Sequence, residues 1–72
     1  MSDPDEMMNS WLAVRNFQRE IIRVSTMKLG RKLTAKEKQF VTSRRGFIAL
    51  EMILDTVRAG HSVEIEAYLN SE

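Results

Sequence analysis

An all-α fold is predicted by three features of the sequence. Apolar residues recur every seven positions in two long series, each series is preceded by a helix-start signal, and the interior is interrupted only at "KLGRKLT" and "RAGHS". At 72 residues the chain is expected to form one domain.

The first helix is predicted over about residues 4–28. Asp3 is its expected cap, Pro4 fits the first helical position, and Glu6 follows Asp3 at capping-box spacing. Met7, Val14 and Ile21 repeat at sevenfold spacing with Phe17 and Val24 between them. At about 100° per residue, Met7, Trp11, Val14, Phe17, Ile21 and Ile22 share one broad face, and Asn16, Arg19, Glu20 and Arg23 lie opposite.

The second helix is predicted over about 34–59. "TAKE" supplies Thr34 as cap and Glu37 as its capping-box partner. Phe40, Phe47 and Leu54 then recur every seven residues, with Ser43, Leu50 and Val57 three behind them, an a/d pattern. The pattern crosses Gly46 without a change of phase, which predicts an unbroken rod. A glycine inside a helix costs about 1 kcal/mol against alanine, and close packing on a neighbouring backbone is the expected compensation. Gly60 is expected to stop this helix in the left-handed region. A short third helix follows over about 62–70, capped by Ser62, with Ile65, Tyr68 and Leu69 on its apolar side. It is expected to fold back over the end of the other two.

Two long helices joined by "GRKL" form an antiparallel helical hairpin. Their apolar faces are wider than one seam, because Val41, Ile48 and Met52 flank one series and Trp11, Ile22 and Leu29 the other. A chain this small buries only about 60% of its unfolded surface, so it calls for a staple. Cysteine is absent, which removes disulfides, iron–sulfur clusters and thiolate zinc sites. The expected staple is a homodimer forming a four-helix bundle, with Trp11, Val14, Phe17, Ile21, Phe40, Phe47, Leu50 and Leu54 at the interface. Glu37, Arg44, Glu51 and Arg58 alternate in sign at one heptad position, as flanks of such an interface do.

The formal charge of +1 names no partner, but its distribution is uneven. Seven cations and one anion lie between Lys28 and Arg45, and Arg15, Arg19 and Arg23 form a stripe leading toward them. Arg15, Arg19, Arg23, Arg31, Lys32, Arg44 and Arg45 are therefore the candidate contacts for an anion, either nucleic acid or an acidic protein. No aromatic residue is interleaved with them, which argues against stacking on single-stranded bases. A helix-turn-helix would make 62–70 the recognition helix. That segment carries Glu64 and Glu66 and no Arg or Lys, a poor match to DNA.

Catalysis has little to stand on. The one histidine, His61, sits at a helix end, and no glycine-rich phosphate loop is present. The methionines fit a core or an adaptable interface better than a metal site. No cofactor, metal or small-molecule substrate is expected. No apolar run approaches the ~20 residues of a membrane span, and "MSDPDE" lacks the apolar core of a signal peptide. The expectation is a small, cytoplasmic, non-enzymatic helical protein that acts by self-association and partner binding. Nucleic-acid regulation through the surface around residues 15–45 is the second reading.

Overall fold

The structure, a computed structural model, describes residues 4–71, with side chains from residue 11 onward. It is all-helical among the described residues: α1 (Pro4–Leu29), α2 (Ala35–Thr42), α3 (Phe47–Ala59) and α4 (Ser62–Leu69). The expected Asp3–Glu6 box and the packing of Met7 lie outside the described residues.

The 26 residues of α1 make a rod about 39 Å long at 1.5 Å per residue, which sets the 44 Å long axis of a body 22 Å by 21 Å across. α2, α3 and α4 all pack on it. Gly30 turns the chain back after α1. Its φ of +70° is the left-handed conformation that costs glycine little, and its N–H closes the helix on the Thr26 carbonyl at 3.0 Å. α2 then runs antiparallel to α1, from the Arg31–Glu37 contact up to Gln18. α3 runs parallel to α1, from the Phe17–Phe47 ring contact at 6.2 Å down to Lys28, whose ammonium donates to the carbonyls of Arg58 and Gly60. α4 comes back across the lower end of α1 and α2, placing Tyr68 edge-on to Phe40 at 5.2 Å.

The core follows from these directions. α1 contributes Ile21 and Val24, α2 Phe40 and Val41, α3 Leu50, Ile53, Leu54 and Val57, and α4 Ile65 and Leu69. Leu33 seals the first loop. The α3 set follows the spacing i, i+3, i+4, i+7 of one helical face. Ser25 is fully buried in this core, and its hydroxyl has no hydrogen-bond partner among the described residues.

The unbroken rod over 34–59 is corrected: the chain leaves the helix at Ser43 and re-enters it at Phe47. The antiparallel pair of long helices goes with it, since the second half of the rod turns round and runs parallel to α1. The cause is tertiary. The Gln18 side-chain amide on α1 donates to the carbonyls of Thr42 (3.3 Å) and Arg44 (2.7 Å), while the Arg44 guanidinium and the Ser43 hydroxyl both donate to the Phe40 carbonyl. Carbonyls that a longer helix would satisfy internally are thus satisfied from outside. Gly46 is no close-approach point, because a Cβ added there meets nothing within 4 Å. It is the N-cap of α3, with φ −81° and ψ 137°. The sevenfold series crosses the break by coincidence, since its middle member, Phe47, is 44% exposed.

Two smaller expectations also change. Gly60 is extended (φ −81°, ψ 162°) and not left-handed; a Cβ there would lie 3.1 Å from the Thr56 carbonyl oxygen and 3.4 Å from the Ile65 side chain, a tight fit. The cap of α4 is His61, whose backbone N–H donates to Glu64 Oε1 at 3.2 Å, and Ser62 is the first helical residue. No helix among the described residues is long and apolar enough to cross a membrane.

Candidate interaction surface

The charged residues sort by the two ends of α2. At its start, Glu37 is 1% exposed, and nearly every hydrogen-bonding direction of its carboxylate is used. Arg31 grips it through two parallel bonds of 2.8 and 3.0 Å, the Thr34 backbone N–H donates to it at 2.8 Å, and Asn70 Nδ2 at 2.8 Å. The Thr34 hydroxyl accepts from the Glu37 N–H in return, completing the capping box. The Arg31 hydrogen bonds hold the Glu37 carboxyl far below the usual carboxylate range against the opposing effect of burial, with Thr34 and Asn70 helping. One carboxylate therefore ties the first loop, α2 and the end of α4 together. Arg31 also lies 3.9 Å from Glu66.

The other end of α2 is different. Beside Gln18, two shallow hollows of about 240 and 270 Å³ share Arg15, Gln18 and Thr42 and form one groove between α1 and the end of α2. Trp11, Val14 and Arg45 line its upper part, and Arg19 and Ile22 its lower part. Among the described residues, no carboxylate lines either part. The guanidinium of Arg15 lies 5.5 Å from the centre of the Trp11 ring, a cation–π contact one helical turn long. Trp11 remains 59% exposed. Arg15, Arg19 and Arg45 are exposed, and none has an acidic partner among the described residues. Arg45 adjoins the start of α3, which has no side-chain cap and no acid in its first turn.

The seven cations expected to share one surface are thus divided. Arg15, Arg19 and Arg45 converge. Arg31 is held by Glu37, and Lys32 stands beside it, beyond the far end of α2. Arg44 is half-buried, lies 4.1 Å over the Phe40 ring and closes α2. Arg23 is tied to Glu20 by bonds of 2.5 and 3.1 Å, which lower the Glu20 pKa and raise that of Arg23.

The eight residues expected at a dimer interface divide as well. Ile21, Phe40, Leu50 and Leu54 are buried in the chain's own core and cannot meet a partner without unfolding. Val14 and Phe17 are half-buried against that core, and only Trp11 and Phe47 are exposed. Ile48 and Met52, which the sequence places beside the seam, are the more exposed at 77% and 63%, and Leu12 (43%), Met27 (65%) and Val63 (78%) are exposed residues that the pattern passed over. Ile48 and Met52 are one turn apart on the side of α3 away from the core. Their signal is an apolar pair outside the buried i, i+3, i+4, i+7 set. The aromatic residue missed beside the cations is Trp11, four residues before Arg15, a spacing that predicts contact on a helix. Comparison with protein-family models, with curated proteins and with solved structures gives no match to this chain.

Proposed function

We propose that this chain is a non-enzymatic binding protein that self-associates through apolar residues its own fold leaves exposed on α3 and the upper part of α1. The observation that carries this reading is the pair Ile48 and Met52. Two large apolar side chains, well over half exposed, are adjacent on a helix whose other side already fills the core. Phe47 extends the same start of α3, and Leu12 adds exposed apolar surface on α1. Contiguous exposed apolar surface marks interaction sites, and a chain of this size with no cysteine gains most from association. The interface is therefore the outer face of α3, and not the a/d seam.

The test is sedimentation of the full chain over a wide concentration range. A mass that rises with concentration is expected, and Ile48→Lys with Met52→Lys should return it to the monomer while leaving helicity unchanged. A wild-type mass that stays monomeric at every concentration would overturn the reading.

A further inference from the structure

We propose that the groove between α1 and the α2–α3 turn binds single-stranded nucleic acid, with phosphates on Arg19 and Arg45 and a base stacked on the exposed ring of Trp11. This proposal does not rest on self-association.

Three observations meet at the groove. Cations that the fold uses structurally are all elsewhere: Arg31 on Glu37, Arg23 on Glu20, Arg44 on the end of α2. The three arginines at the groove have no acidic partner among the described residues, so neutralising a phosphate there breaks no existing ion pair. The chain's single tryptophan lines the same groove, 59% exposed and already fixed in place by Arg15. A positively charged channel with an aromatic platform is how sequence-tolerant single-strand binding works: phosphates supply counterion release and the ring supplies stacking. A duplex is a poorer fit. The outer side of α3 carries exposed Glu51 and Asp55, and its one cation, Arg58, lies 3.8 Å from Glu20; α4 carries Glu64 and Glu66 and no cation, so neither helix suits a major groove. DNA and RNA present the same phosphates and ring faces, and the experiment separates them.

The full chain is titrated with short oligothymidine and oligouridine labelled for anisotropy, while Trp11 emission is followed in the same cuvette. Binding at low salt with quenching of Trp11 is expected, weakening roughly tenfold when salt rises fourfold, as about two phosphate contacts imply. Arg19→Ala with Arg45→Ala should reduce the salt slope by about 1.4. Trp11→Ala should weaken binding roughly tenfold at constant slope. Lys32→Ala, beyond the far end of α2, should change nothing. Preference for one of the two oligomers assigns the sugar. The proposal is overturned by no binding at low salt, by binding that leaves Trp11 emission unchanged, or by a Lys32→Ala loss equal to that of the arginine pair. Duplex bound more tightly than either oligomer also overturns it. Sedimentation reads association separately, so either result stands without the other.

Discussion

The two ends of α2 use similar residues to opposite effect. At the start, a buried acid is held by an arginine whose outer side still meets water, and Asn70 from the last turn of α4 joins them. At the finish, a neutral amide does the holding, and three arginines around it are left to solvent. Eight residues of helix separate a place where charge is consumed by folding from one where it stays available. Formal charge counts alone cannot make that distinction, because burial and pairing decide what a cation is free to do.

The largest effect that would break this contrast is at Glu37. Glu37→Ala leaves the Thr34 N–H and Asn70 without their acceptor and releases Arg31 to water, and a loss of about 2 kcal/mol in denaturant unfolding is expected. The pH dependence has a definite sign. The folded-state pKa of Glu37 is depressed and the unfolded value is near the ordinary ~4.3. Its contribution is therefore complete above that value and is lost as pH falls from there toward the folded value. Wild type should lose stability on acidification more steeply than Glu37→Ala, and parallel curves would show that the carboxylate is not the acid-sensitive tie.

Gln18→Ala probes the other end. It removes two hydrogen bonds that are only partly shielded from water, so a loss of about 1 kcal/mol is expected, smaller than at Glu37. Equal losses at the two ends would dissolve the distinction between them.

Gly46→Ser is the mildest. The backbone there is already in the extended region usual for a cap, an added side chain meets open space, and the first N–H groups of α3 have no side-chain acceptor. A serine oxygen should raise thermal stability by a few tenths of a kcal/mol over glycine. A decrease would mean that residues 43–46 require glycine for a reason other than capping.

These contrasts also explain which parts of the fold were legible in the sequence. The Thr34–Glu37 box was readable because its members are three residues apart and helix geometry alone brings them together. The all-helical class was readable for the same local reason. The partners that bury Glu37 were not, because Asn70 lies 33 residues away. The break after α2 was unreadable in the same way: Gln18, which holds it, is 24 to 26 residues upstream, while the local pattern of Phe40, Phe47 and Leu54 argued for continuity. The candidate groove was half legible. Its arginines were identified by charge, but their separation from Arg31 and Arg44 depended on pairing, and Trp11 was assigned to an apolar seam when its i, i+4 relation to Arg15 already placed a ring beside a cation.

Both stops, after α2 and after α3, receive hydrogen bonds from side chains of α1: Gln18 at the first and Lys28 at the second. A peptide covering residues 34–60 alone would lack both and be free to extend its helix across the sites where the full chain turns. The first helix thus acts as a template that sets the lengths of its neighbours, and those lengths exist only once it has docked. Docking on the first helix and the choice of where each shorter helix ends are therefore linked through Gln18 and Lys28.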